Sequence, residues 1–137
     1  MIFLGSGDRE VLSDNMYDIK DIKGFLISRE KKKRDLKLKE KEEIISRLKS
    51  LKDILQRYKI KRAYLYGAFT DMSFHEYSDI DIAIEADIDY EEFLAVFSEV
   101  NRRFKREVDV RLLHELPFKE KIIKEGILIY ERKNTHT

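Results

Sequence analysis

The sequence predicts an α/β domain (α+β in arrangement) in which a small mixed β-sheet is packed by helices. Short apolar runs of strand length alternate with longer runs in which apolar residues recur every three or four positions, as on one face of a helix. The chain has 137 residues, 42% of them hydrophobic, which is enough to bury the core of one domain. It has no cysteine, which excludes disulfides and thiolate metal sites and suits a reducing cytoplasm.

The chain is predicted to divide into an N-terminal helical extension, residues 1–33, a main domain, residues 34–133, and a tail, residues 134–137. Residues 1–27 have scattered apolar side chains without a single period, which indicates marginal structure of their own. The opening MIFLGSGDRE has too few apolar residues for a signal peptide, and no segment is apolar enough for a membrane span. We therefore expect a cytoplasmic protein that does not associate with membranes.

Residues 29–41, REKKKRDLKLKEK, are strongly basic although the whole chain has a net charge of only +1. Such a block can bind RNA or an acidic partner, or it can be the solvated face of a helix. The surrounding pattern is helical over residues 34–58 and predicts one helix that lies across the sheet or pairs with a second helix. A long helix also makes a homo-oligomer a further expectation. The apolar stripe of this helix consists of Ile44, Leu48, Leu51, Leu55 and Tyr58.

Two further helices are predicted between the strands. Asp89, with Glu92 three residues later, forms a capping-box pattern at the start of a helix with a buried stripe as far as Phe104. Pro117 and Gly126 bracket a short helix, because proline is favoured in a first turn and glycine after a last turn. The predicted strands are residues 62–66, 79–85, 107–113 and 127–130.

Two aspartates interrupt the second predicted strand on one face. Side chains alternate along a strand, so Asp79 and Asp81 point the same way while Ile80, Ile82 and Ile84 point to the core. At a rise of roughly 3.3 Å per residue the two carboxylates lie about 7 Å apart. Like charges this close repel unless a basic side chain or a divalent metal lies between them, and Mg²⁺ prefers such hard oxygen ligands.

Asp109 repeats this pattern on the third predicted strand, with Arg111 on the same face. If the two strands are neighbours, Asp109 reaches Asp79 and Asp81, and three carboxylates could hold two metal ions for displacement at a phosphorus atom. The simpler interpretation is a solvent-facing strand surface on which Arg111 pairs with an aspartate. Arg111 is otherwise a candidate to neutralise phosphate.

Gly67 ends the first predicted strand and lets a backbone turn approach a ligand closely. The N–H groups of Ala68 and Phe69 could then hold phosphate, particularly if a short helix starts there.

Together these residues resemble the minimal nucleotidyltransferase family of the DNA polymerase beta-like superfamily. That family is marked by Gly-Ser, ten residues, Asp-x-Asp, and a third Asp on a later strand. Here Gly67 opens the motif, Asp79 and Asp81 follow at the same spacing, and Asp109 is the third aspartate. The resemblance covers roughly residues 44–131 and implies the polymerase beta-like nucleotidyltransferase fold.

The resemblance also implies a role for each residue. Asp79, Asp81 and Asp109 would bind two Mg²⁺ ions together with ATP or another nucleoside triphosphate, and Asp109 would help to deprotonate the acceptor hydroxyl. The turn at Gly67 and Ala68 would hold the β- and γ-phosphates. The implied reaction moves a nucleoside monophosphate, commonly AMP, to a protein or RNA hydroxyl and releases pyrophosphate.

Many small members of this family are antitoxins of a HEPN-type ribonuclease, so the resemblance implies a HEPN-type protein partner. Two positions depart from the family pattern: Ala68 replaces the motif serine, and Asp71 stands where relatives often carry arginine. These departures support an alternative, a catalytically degenerate member that acts as a binding or antitoxin module.

Overall fold

The computed structural model describes residues 18–133. The described chain divides into two compact units, one that ends at Leu38 and one that begins at Lys39. Among the described residues, every buried core side chain lies between Leu48 and Ile129, in the second unit. The predicted domain boundaries after residues 33 and 133 stay predictions, and the marginal structure predicted for residues 1–17 lies outside the described chain.

The first helix, α1, spans Ile19–Lys49 and is longer than predicted. The predicted N-terminal helical extension is therefore confirmed from Ile19 onward, although it forms a regular helix there rather than the marginal structure expected for residues 1–27. The predicted single helix over residues 34–58 is wrong, because α1 ends at Lys49 and a second helix, α2, spans Lys52–Arg57. At the break the Ser50 hydroxyl donates a hydrogen bond to the carbonyl of Arg47 at 2.6 Å, where a serine side chain competes with the helical backbone.

The remaining elements follow the predicted alternation. The strand predicted at residues 79–85 starts one position later, which leaves Asp79 outside it, and the last helix starts after Pro117 rather than at it. These elements are β1 (Arg62–Tyr66), α3 (Ala68–Asp71), β2 (Ile80–Glu85), α4 (Tyr90–Asn101), β3 (Val108–Leu112), a 3₁₀ turn (Leu113–Glu115), α5 (Lys119–Glu125) and β4 (Ile127–Glu131).

The four strands form one mixed sheet in the order β3-β2-β1-β4. β1 is antiparallel to both β2 and β4, whereas β2 and β3 are parallel. The parallel pair needs a crossover connection, which α4 supplies. The predicted fold class, a mixed sheet packed with helices, is confirmed.

The start of α4 has the predicted capping box. The Glu92 N–H donates to Oδ1 of Asp89 at 2.8 Å, and the Asp89 N–H donates back to Oε1 of Glu92 at 3.2 Å. Two orphan N–H groups of the helix start are thereby satisfied, and Val96 and Val100 are fixed in the core.

The two faces of the sheet carry two separate apolar clusters. Ile80, Ile82 and Ile84 are fully buried in the larger cluster, as the alternation predicts. On the opposite face Tyr64 and Ala83 belong to a smaller cluster that is completed by Leu113, Leu116 and Ile122. The smaller cluster ends at Tyr66, and Asp81 lies next to Tyr66 in the sheet.

None of the helices in residues 18–133 is long and apolar enough to cross a membrane.

Candidate active site

Asp81 and Asp109 stand side by side on adjacent strands. β2 and β3 are neighbours, and the Cα atoms of Asp81 and Asp109 are direct register partners. On its other side Asp81 is the register partner of Tyr66 in β1. Three polar side chains therefore form a row across the sheet, on the face opposite to the larger core.

Asp79 lies one residue before β2, where its side chain is exposed. The chain enters β2 through the N–H of Ile80, which donates to the carbonyl of Glu107 at 2.9 Å. The negative charge of Asp79 acts on Asp81, because it is one of the causes that raise the Asp81 pKa. The position of Asp79 thus depends on the loop that precedes β2.

Burial and repulsion act together on Asp81. Burial raises the pKa of Asp81 to about 6, helped by the charges of Asp109 and Asp79 and opposed by Arg111. Burial also raises the pKa of Tyr66 to about 12, again with help from Asp81 and Asp109. This row therefore has an excess of negative charge near neutral pH, which a cation would relieve.

Arg111 pairs with Asp109. Its Nε lies 3.3 and 3.2 Å from the two carboxylate oxygens of Asp109, and this hydrogen bonding is the main cause that raises the pKa of Arg111. Across residues 18–133 no basic side chain forms an ion pair with Asp79 or Asp81. Arg111 thus pairs with one of the three aspartates and leaves the other two without an ion-pair partner in the described chain.

Gly67 brings the backbone against Asp81. Its φ is +79°, and a Cβ atom at this position would lie 2.5 Å from Oδ2 of Asp81, so only glycine fits. α3 begins at the next residue, and the first N–H groups of a helix, here those of Ala68 and Phe69, have no acceptor within the helix. The Phe69 side chain is fully buried, so this residue can offer only its backbone to a ligand.

A cavity of about 350 Å³ opens beside this turn. Sequence reasoning missed Lys121 and Phe118, because only the packing of α5 against β1 brings them near Gly67, and no local pattern reports that contact. In this cavity Asp71 faces the residues that follow it, since its Oδ1 accepts the Ser73 N–H at 3.0 Å. Hydrogen bonding with the Ser73 side chain, followed by this N–H bond, lowers the pKa of Asp71. The cavity is lined by Tyr66, Gly67, Thr70, Asp71, Phe118, Lys121, Ile122, Glu125 and Gly126.

The carboxylates at this end of the sheet are the candidate ligands for a metal ion. In the described part of the chain, no group of three or more His, Cys, Asp or Glu side chains is close enough together to hold a metal ion. Asp81 and Asp109 nevertheless supply two hard oxygen donors from neighbouring strands. Mg²⁺ is commonly held by one or two carboxylates plus substrate phosphates, so this pair fits an ion that arrives with a nucleotide. The predicted site with all three aspartates stays a prediction.

The sequence profile described as "Polymerase beta, Nucleotidyltransferase" matches residues 49–135, which is more than half of the chain. The chain belongs to the polymerase beta nucleotidyltransferase family. The family resemblance seen in the Gly67, Asp79, Asp81 and Asp109 motif is thereby confirmed. The three aspartates and the turn at Gly67 all lie within the region that matches this nucleotidyltransferase family.

Two solved structures are similar to this family member. One is a toxin-antitoxin crystallised with AMP-PNP, with 21% sequence identity and a TM-score of 0.49, over 59% of this chain and 70% of that chain. The other is a mutant of the toxin-antitoxin MntA-HpeT, with 18% identity and a TM-score of 0.48, over the same shares of the two chains. No curated protein matches the chain in sequence.

Proposed function

We propose that this nucleotidyltransferase moves a nucleoside monophosphate, AMP from ATP, to a hydroxyl group of a protein or RNA acceptor. The observation that carries the proposal is the pairing of Asp81 with Asp109 across β2 and β3, next to the turn at Gly67 that touches Asp81. This arrangement combines hard oxygen donors with a backbone turn suited to phosphate, as transfer at a phosphorus atom requires.

The reaction assigns one task to each group. The acceptor oxygen forms a bond to the α-phosphorus while the bond from that phosphorus to the β-phosphate oxygen breaks, and pyrophosphate leaves. Asp109 accepts the hydroxyl proton, and Asp79, Asp81 and Asp109 are the residues that would hold two Mg²⁺ ions. Bound Mg²⁺ would neutralise charge on the phosphates in the transition state. The N–H groups of Ala68 and Phe69 hold the β- and γ-phosphates, and Arg111 adds positive charge beside them.

The proposed partner is a HEPN-type toxin, for which this chain would be the antitoxin. This part of the proposal rests on the motif resemblance of Gly67, Asp79 and Asp81. A tyrosine hydroxyl of the toxin would then be the acceptor. RNA, which the basic block at residues 29–41 could attract, is the alternative acceptor.

Label transfer from α-labelled ATP tests the activity, with the product of the adjacent gene as acceptor and Mg²⁺ present or chelated. We expect Asp79→Asn and Asp109→Asn to reduce transfer by about 10²-fold or more, because loss of a general base or metal ligand usually costs this much. Asp87→Asn is the matched control, since Asp87 is an exposed aspartate after the end of β2. An Asp79→Asn protein as active as the wild type would contradict the proposal.

A second candidate is a degenerate binding module, and two observations favour it. Ala68 lacks the hydroxyl of the family motif, and Arg111 already pairs with Asp109. Calorimetry with ATP and Mg²⁺ separates the candidates, because an enzyme must bind the nucleotide through Asp81. We expect Mg²⁺-dependent binding that Asp81→Asn weakens, and its absence would favour the binding module.

A further inference from the structure

Arg106 lies just before β3, and the proposed reaction does not use it. Only 17% of its side chain is exposed. Its Nη1 donates hydrogen bonds to the carbonyl oxygens of His75, Glu76 and Ser78 at 3.0, 3.0 and 2.9 Å. Its Nη2 donates to Oε2 of Glu40 at 2.6 Å. One side chain therefore satisfies three backbone acceptors and one carboxylate.

Two aromatic rings fix this guanidinium from one side. Its central carbon lies 5.1 Å from the ring centroid of Phe69 and 5.9 Å from that of Phe74. The two rings stack on each other with centroids 4.1 Å apart, and both are fully buried. A cation against buried rings is held by packing as well as by charge, so Arg106 has little freedom to move.

The three carbonyls belong to the loop that leads from α3 into Asp79. The loop closes on itself, because the Ser78 N–H donates to the carbonyl of His75 at 3.1 Å and the His75 N–H donates to Oγ of Ser78 at 2.8 Å. The side chains of His75, Glu76 and Tyr77 are exposed, so they add little packing of their own. The carbonyl of Ser78 is part of the peptide bond to Asp79, and Arg106 fixes the orientation of that peptide.

We propose that Arg106 is a positioning residue that holds this loop and so sets the position of Asp79, one residue before β2. The inference rests on the proposed function, because it assigns Arg106 the placement of one predicted metal ligand. The guanidinium is a planar fork with five donors, which suits three carbonyls and a carboxylate at once. A lysine ammonium carries the same charge but cannot reproduce this geometry.

Arg106→Lys tests the inference, with Mn²⁺ as a spectroscopic probe for the metal. Mn²⁺ binding in the presence of ATP is followed by electron paramagnetic resonance for the full chain and its variants. We expect Arg106→Lys to weaken Mn²⁺ affinity by about tenfold or more, the usual effect of losing a group that orients a metal ligand. We also expect faster amide hydrogen exchange over residues 75–80, because these N–H groups depend on the ordered loop.

Arg103→Lys is the matched control. Arg103 also pairs with a carboxylate, that of Asp53 at 2.9 and 2.6 Å, and donates to the carbonyl of Ser50, but none of its hydrogen bonds goes to the loop. It should keep wild-type Mn²⁺ affinity and wild-type exchange over residues 75–80. If Arg106→Lys does not fold, Glu40→Gln replaces it, since this variant keeps the arginine and removes the charge of its carboxylate partner; it should weaken Mn²⁺ binding in the same direction.

The outcomes separate this inference from the proposed function. A wild-type protein that binds Mn²⁺ with ATP, together with an Arg106→Lys variant of equal affinity and equal exchange, would overturn the positioning role alone. A wild-type protein that binds no Mn²⁺ with ATP would contradict the proposed function, and the role of Asp79 as a ligand would fall with it.

Discussion

Asp81 is a carboxylate that the fold places where its charged form is disfavoured. Because its pKa of about 6 lies above the ordinary value, the native state holds more protons than the unfolded state between about pH 4 and 6. The free energy of unfolding should therefore fall as pH rises through this window and stay lowered above it. The charged form of Asp81 thus lowers the free energy of unfolding at neutral pH, and a bound cation would offset this loss.

The first prediction is that Asp81→Asn stabilises the protein. At pH 7.5 we expect the free energy of unfolding to increase by about 1–2 kcal/mol, a figure reduced from the full pKa shift because the side chain is only half-buried. At pH 4, close to the ordinary pKa of an aspartate, the difference should be much smaller. Urea unfolding at both pH values measures it, with Asp87→Asn as the control. A variant that is no more stable than the wild type at pH 7.5 would show that the fold does not disfavour the charged form of Asp81.

The second prediction concerns Gly67. Gly67→Ala introduces a Cβ 2.5 Å from Oδ2 of Asp81 at a φ of +79°, so both the backbone and the carboxylate must shift. We expect a loss of about 1–3 kcal/mol in stability and weaker Mg²⁺-dependent ATP binding. Gly24→Ala is the contrasting control, because nothing lies within 4 Å of its new Cβ. Gly24 is inside α1, where alanine is favoured over glycine, so this variant should be at least as stable as the wild type. Equal effects at the two glycines in thermal unfolding would contradict the close approach to Asp81.

At the scale of single residues, some features of the site could be predicted from the sequence and others could not. The alternation of Asp79 and Asp81 with isoleucines predicted which side of β2 is apolar, and the structure confirms full burial of the isoleucines. The same pattern could not reveal Arg106 or Lys121. The positions of both residues at the site come from what the fold brings near them, and a lone basic residue leaves no periodic signal.

Elements were predictable where a local signal sets their ends. The third prediction uses the capping box of α4: Asp89→Ala removes the acceptor for the Glu92 N–H and should cost about 1 kcal/mol of unfolding free energy. Asp87→Ala, at an exposed aspartate without a cap role, should change it by less than half as much. Denaturant unfolding of the two variants measures the difference, and equal stabilities would mean that the cap contributes nothing.

The prediction of a single helix over residues 34–58 was wrong for a physical reason. The apolar spacing of Leu48, Leu51 and Leu55 continues across the break, so periodicity alone reports one helix. At the break the hydroxyl of Ser50 donates to the carbonyl of Arg47, a contact that no apolar period reports. The start of α1 was missed because exposed residues such as Ile19 and Phe25 follow no core-facing period.

At the scale of the whole molecule, the buried core among the described residues begins at Leu48. The fourth prediction is that a chain that starts at residue 34 unfolds cooperatively. Removal of residues 1–33 should lower the free energy of unfolding by less than about 1 kcal/mol, so the midpoint should lie within about 4 °C of that of the full chain. Calorimetry of both proteins measures this. Loss of a cooperative transition would show that residues 1–33 are needed for the domain to fold.

The fold class followed from the sequence because strand and helix periods alternate clearly, whereas the sheet order did not. No local sequence pattern shows that β2 lies between β1 and β3. The sequence therefore predicted that Asp81 and Asp109 are close only if their strands are neighbours. The family motif supplied the missing long-range information.

The strand order β3-β2-β1-β4 gives the two paired aspartates unequal mechanical support. Asp81 stands on an interior strand that is bonded along both sides, so its backbone cannot slide without breaking two ladders. Asp109 stands on a border strand bonded along one side only. We expect a change of acceptor substrate among related proteins to be accompanied by movement of Asp109. The position of Asp81 should stay the same.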